Sequence, residues 1–201
     1  MYLCAAIVVP CLAIVVPLSN LSPSLPLGIE LMAGIRTNFG LSWDANATWS
    51  RNRIRNFTET LYENEDAGGE KWEIHHGDTP IAFSPDFIWN NRLGYQYQKF
   101  EVSLQSQYVS KQYMSNARQE DQVLDAYFVS NLHLGYTFKL PFVKSATFGL
   151  TVFNLFNEKY ENNGYAGSGF YFDGNQKIRY NYAGYAAQAG TNILAHLSLN
   201  L

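Results

Sequence analysis

Charge is what this sequence has least of. Asp, Glu, Lys and Arg make up 15% of its 201 residues, against about a quarter in an ordinary soluble domain. The balance is −3 with a pI near 5.8, so no basic field exists to hold a nucleic acid. Cysteine is nearly absent. Cys4 and Cys11 both lie in the first dozen residues, leaving no CxxC pair, no Cys/His metal spacing and no disulfide framework in the body. No unbroken apolar run reaches the roughly 20 residues of a spanning helix, and a mean hydropathy of −0.19 excludes a bundle of such helices. Aromatic residues, in contrast, reach 15% and hydrophobic residues 47%. That excludes a disordered chain and leaves a β-rich body, soluble or in a membrane.

The first 28 residues carry no charge, and Glu30 is the first charged side chain. Leu3 to Leu18 is apolar and broken by Pro10 and Pro17. Its length suits the apolar region of a signal peptide, yet the basic start is missing and no Ala-x-Ala site follows. The segment 1–28 reads as an apolar leader, either signal-like or marking a non-native gene boundary, with a structural strand as the third option. The body is 29–201.

From Ile29 onward the hydrophobic period is two. Leu41, Trp43, Ala45, Ala47 and Trp49 alternate with Ser42, Asp44, Asn46, Thr48 and Ser50 without an error. The same holds for 99–108, where Phe100, Val102, Leu104 and Tyr108 oppose Glu101, Ser103, Gln105 and Gln107, and for 124–139. Less regular alternation marks 29–36, 87–97 (interrupted by Asn91), 145–152 and 192–201. Seven strands are predicted, with 114–126 left as a loop that can hold a helical turn.

Three features select a membrane barrel over a soluble sandwich. The strands run to nine residues and more, whereas about 9–11 cross a bilayer and soluble strands average about 5–6. The polar face is Ser, Thr, Asn, Gln and Gly with scattered charge, which suits a wet lumen; Glu30, Arg36, Asp44, Arg92, Glu101 and His133 fall on it. Short connections (38–40, 98–99, 140–143) alternate with long ones (56–85, 110–123, 157–191), as in outer-membrane barrels. Tyr95, Tyr97, Phe100, Tyr136 and Phe138 then mark the short-turn end, and Trp49, Trp89, Tyr108 and Phe153 the loop end, as two interfacial girdles. The expected fold is all-β, an antiparallel transmembrane β-barrel segment in the lipid of the bacterial outer membrane. Bacterial barrels of one chain have even strand numbers, and an open edge in lipid costs several kcal/mol per unpaired backbone group. Seven strands therefore belong to a larger barrel, unless an eighth hides in 1–28 and makes a small autonomous barrel. A soluble β-sandwich binding module is the remaining alternative.

The segment Gly149-Leu-Thr-Val-Phe-Asn-Leu-Phe-Asn-Glu-Lys-Tyr160 resembles the penultimate strand of TonB-dependent outer-membrane receptors. Asn163-Gly164-Tyr165 resembles the start of that family's last extracellular loop, and Ala187 to Asn192 the entry to its final strand. The resemblance covers about 29–201. It implies the last seven strands of a 22-stranded, plugged barrel that takes up a metal chelate such as a siderophore or cobalamin. The implied partners are the plug domain, the TonB complex and the chelate. It also implies that the final strand, with Leu197, Leu199 and Leu201, carries the barrel-assembly signal, although the family usually ends on an aromatic residue where this chain has Leu201.

Ligand contacts are expected on the long loops. Loop 56–85 carries Trp72, His75, His76 and Asp78, and loop 157–191 is rich in tyrosine, with Tyr165, Tyr171, Tyr180 and Tyr182. Tyrosine gives amphipathic contact area at low entropic cost; the same residues also suit loops packed on themselves. No metal site or cofactor is expected in the chain itself. No Ser/His/Asp order or close carboxylate pair stands out, and His133 and His196 fall within strands rather than at their loop ends, so no enzyme is expected.

Overall fold

A computed structural model of the chain describes residues 5–15, 24–66 and 68–200. The described residues form thirteen strands and no helix: β1 (Ala5–Val15), β2 (Ser24–Thr37), β3 (Leu41–Tyr62), β4 (Lys71–Pro80), β5 (Phe87–Tyr97), β6 (Phe100–Val109), β7 (Gln112–Tyr113), β8 (Val123–Leu124), β9 (Tyr127–Leu140), β10 (Val143–Phe153), β11 (Glu161–Asp173), β12 (Gln176–Ala187) and β13 (Asn192–Asn200). The main sheet is antiparallel throughout, in the order β1-β2-β3-β5-β6-β9-β10-β13, with β4 pairing the outer half of β3. The path is open, with β1 and β13 at its two edges.

All seven predicted strands are present, because each meets two solvents and so alternates strictly. Pairings such as Ala45↔Asn91, Leu93↔Leu104, Leu104↔Leu132 and Leu150↔Ala195 keep the apolar sets on one face across the sheet. Among the described residues, no second layer lies over that apolar face. Trp49 is 69% exposed, and Leu197 and Leu199 are also exposed. The buried side chains gather instead at the loop end, where Leu61, Met114, Ala117, Leu124 and Phe170 form a small core. A single sheet with a bare apolar face is stable only against a non-aqueous phase.

The departures from expectation lie at the loop end and the first segment. The long connection 56–85 is largely strand: β3 runs on to Tyr62 and pairs with β4. The connection 157–191 is the hairpin β11–β12, closed by a two-residue turn with Gly174 in first position at φ 61°, where glycine is favoured. Residues 114–126 hold no helical turn but a loop closed by the β7–β8 pair. Consequently Leu124 and Ala126 do not belong to β9, which starts at Tyr127. Phe153 stands in register with Asn192 on the polar side rather than in the outer girdle. Within the segment expected as a leader, β1 pairs with β2 across the expected boundary at residue 28; 1–4 and 16–23, like Leu201, lie outside the described residues.

The three short turns all lie at one end. Gly40, at φ 95°, lets the 38–40 turn pass against the Gln96 carbonyl, where a Cβ has no room, and its own carbonyl accepts from Gln96 N at 2.9 Å.

Candidate functional site

Two regions carry the chemistry-bearing side chains. The first is the polar face of the sheet. Register places Glu30, Arg36, Asp44, Arg92, Glu101 and His133 on this one face. Amides bridge four strands in a row: Asn46 donates to Glu30 Oε1 (2.8 Å), Asn90 to Asn46 Oδ1 (2.9 Å) and Gln107 to Asn90 Oδ1 (3.0 Å). Arg36 pairs with Asp44 at 2.8 Å, and Arg92 lies 3.9 Å from Glu101. All four of these charges stay close to half exposed, so each pair contributes about 0–1 kcal/mol. Their value is a hydrated polar wall with hydrogen-bonding capacity to spare. His133 bonds Thr151 at 3.0 Å and stacks on His196, ring centroids 6.2 Å apart. A depression of about 330 Å³ lies over Gly34, Asp44, Asn46, Asn90, Arg92 and Gln105.

The opposite face shows how polar atoms are handled where water is scarce. Asn91, the residue that interrupts its apolar pattern, accepts from Trp43 Nε1 at 2.6 Å, and Ser106 bonds Ser130 at 2.8 Å beside it. These groups pair with one another, as hydrocarbon favours.

The second region is the loop end, where two hairpins meet. Glu59 on β3 accepts a two-pronged contact from Arg179 on β12 (2.6 and 2.9 Å) and a bond from His76 Nε2 on β4 (2.8 Å), all three side chains being largely buried. Arg179 also donates to Asn181 and Ser168. Trp72 meets Phe170 edge-on, and Lys177 lies over the Phe170 ring at 4.9 Å. Gln122 Nε2 donates to the Gly167 and Tyr182 carbonyls, tying the 114–122 loop to the last hairpin.

Successive residues of a strand point to opposite sides, so His75 and His76 do not converge. His75 bonds Thr58 at 2.7 Å, His76 stacks on Phe57 and is held by Glu59, and Asp78 accepts from Asn56 N. Among the described residues no three His, Cys, Asp or Glu side chains form a metal cluster. The tyrosines are arranged differently. Tyr165, Tyr171, Tyr180 and Tyr182 share one face of the β11–β12 hairpin, and three of them lie flat on the glycine opposite: Tyr165 on Gly184, Tyr182 on Gly167 and Tyr180 on Gly169. An aromatic ring covering a strand glycine restores packing that the missing side chain forfeits. Tyr180 and Tyr182 reach Glu65 with their hydroxyls (3.2 and 3.1 Å). Glu65 raises the Tyr182 phenol; for Tyr180, partial burial acts first and Glu65 second. Tyr165 and Tyr171 stay exposed, the former at 68%.

Sequence reading did not single out Glu59, Arg179, Glu65 or Gln122; the Glu59–Arg179, Glu65–Tyr180 and Gln122–Gly167 contacts join residues 45 or more positions apart. It did single out the Asn154 to Asn157 stretch, and geometry shows why those residues are asparagine. Asn154 and Asn157 sit at φ 49° and 54°, a region asparagine tolerates. Asn154 donates to the Glu158 and Ala189 carbonyls and accepts from Glu158 N, while Thr191 Oγ1 donates to the Asn154 carbonyl at 2.7 Å. The motif is a knot that joins the end of β10 to the start of β13.

A single antiparallel sheet of long strands, wet on one face and bare, apolar and aromatic-rimmed on the other, is a portion of a transmembrane β-barrel wall. The chain belongs to the TonB-dependent receptor-like β-barrel family, whose model matches residues 27–155. Among solved structures, it is similar to the ferric yersiniabactin uptake receptor FyuA from Yersinia pestis (20% identity, TM-score 0.57, covering 87% of this chain and 23% of that one). It is likewise similar to the siderophore receptor PiuA from Acinetobacter baumannii (14% identity, TM-score 0.59, 87% and 22%). The chain thus spans less than a quarter of either receptor's length. No curated protein matches it.

Proposed function

We propose that this chain is wall and loop end of a TonB-dependent outer-membrane receptor that imports a metal chelate of the siderophore or cobalamin type. The carrying observation is the two-faced sheet within a family of receptor barrels: a bare apolar face for lipid and a hydrated polar face for a lumen. In this reading Glu30, Arg36, Asp44, Arg92, Glu101 and His133 line the lumen and meet the plug of the complete receptor. The loop end faces outside and takes part in binding rather than catalysis. Tyr165 and Tyr171, with His75, are the loop groups most open to a ligand, whereas Trp72, His76, Asp78, Tyr180 and Tyr182 chiefly hold the hairpins in shape. Leu197 and Leu199 on β13 belong to the strand that assembly machinery engages.

The test is uptake of radio-iron chelates and of labelled cobalamin by cells carrying the complete receptor gene, with the TonB complex intact or deleted. Uptake of at least one chelate that depends on both the receptor and TonB is expected. Equal uptake without TonB contradicts the proposal. One observation favours a second reading, an autonomous barrel: β1 brings the path to eight strands, and its two edges run antiparallel. The native size of the product separates the two.

A further inference from the structure

Beyond the loop-end aromatics, β3 continues with three arginines. Trp49, Arg51 and Arg53 pair with Ile29, Leu27 and Leu25 without a register shift, so both arginines stand on the face that carries Trp49. Arg55 follows in the register shift between Ile54 and Phe57, where Asn56, at φ 48°, breaks the alternation. At about 3.3 Å per residue, these Cα positions lie about 7 to 20 Å along the strand from the interfacial Trp49, and less along the membrane normal because barrel strands tilt. The polar headgroup layer is about 5–8 Å thick on each side. Arginine reaches back toward such a layer on its apolar stem.

Arg51 and Arg55 are exposed and make no ion pair among the described residues. Arg53 forks onto Asp86 Oδ1 and Oδ2, both at 3.3 Å, and donates to the Asn52 carbonyl at 2.9 Å. It also lines a cavity of about 380 Å³ with Lys111, Arg118, Ser84 and Ser110. Of the acids near this cavity, Asp86 holds Arg53, Asp78 caps Asn56 N, and Glu120 binds Lys111 and Tyr113. Arg118 faces only the Tyr113 ring. A chain of net charge −3 therefore presents two exposed cations without an ion pair among the described residues, Arg51 on the apolar face and Arg55 just beyond it, past the interfacial aromatics.

We propose that Arg51 and Arg55 bind the phosphate of an anionic lipid headgroup, whose acyl chains lie against Leu27, Ile29 and Trp49. Guanidinium groups bind phosphate with paired, charge-assisted hydrogen bonds, and the contact fixes the depth of the loop end in the bilayer. This inference rests on the membrane reading above. The test titrates fluorescent phosphatidic acid into the detergent-solubilised complete receptor that contains this chain, with insertion into phosphatidylcholine vesicles scored in parallel by protease protection. Replacing Arg51→Gln and Arg55→Gln together weakens lipid binding about thirtyfold, while Lys139→Gln at the short-turn end leaves it unchanged. Equal affinity of the double variant and the parent overturns the inference. Competition by inorganic phosphate at the same affinity as the lipid overturns the assignment to a headgroup. Failure to insert into neutral vesicles refutes the membrane reading itself and this inference with it, whereas insertion without lipid discrimination refutes only the inference.

Discussion

Asn154 condenses the residue-scale logic of this chain. Its backbone sits at φ 49° and its side chain makes three hydrogen bonds, two to Glu158 and one to Ala189, 35 residues away. Asn154→Ala loses those bonds, at about 1 kcal/mol each, and with them the local side-chain bonding by which asparagine tolerates the left-handed region. A loss of about 3–4 kcal/mol in denaturant unfolding is expected; a change under 1 kcal/mol contradicts the knot. Glu65 sets a second residue-scale expectation. It raises the phenols of Tyr180 and Tyr182, so their hydroxyl contacts are fully present below the ordinary phenol pKa of about 10. They are lost as pH rises through the higher folded values. In a spectrophotometric titration, Glu65→Gln moves phenolate formation to lower pH. No movement means that Glu65 does not set these groups.

At the element scale, the last hairpin is held to β3–β4 mainly by Glu59, Arg179 and His76, over the Phe170 and Leu61 core. Arg179→Leu strands the Glu59 carboxylate with a single His partner in a largely buried place. About 2–3 kcal/mol of hairpin docking is lost, read as faster protease nicking between β11 and β12 while the main sheet stays protected. Equal nicking rates contradict the clamp. The main strands were legible in the sequence because each separates oil from water, and that contrast imposes an error-free period, as over Leu41–Ser50. The loop hairpins face water or one another on both sides, so β11–β12 sets tyrosine opposite glycine rather than alternating apolar with polar. A signal existed for β4, where Trp72, Ile74 and His76 alternate with Lys71, Glu73 and His75. The turn-rich stretch 64–69 before it marked a hairpin as well. The clamp itself was not legible, since nothing local pairs Glu59 with a residue 120 positions away.

For the whole molecule, the absence of any layer over the apolar face among the described residues decides the account. Leu132 lies mid-strand on that face, in register with Leu104 and Val152. In the complete receptor, Leu132→Arg is expected to cost about 2–4 kcal/mol of membrane stability and to reduce insertion into vesicles; full insertion at the parent's level contradicts a lipid-facing position. The open edges at β1 and β13 demand partners as well, because unpaired backbone in hydrocarbon costs several kcal/mol per group against a typical stability of about 5–15 kcal/mol. The most direct measurement is therefore an immunoblot of purified outer membranes with an antibody to the β11–β12 hairpin, comparing heated with unheated samples. A heat-modifiable membrane band several times heavier than 22.8 kDa is the expected result, the signature of a complete receptor barrel. Product found only in the soluble fraction contradicts the account.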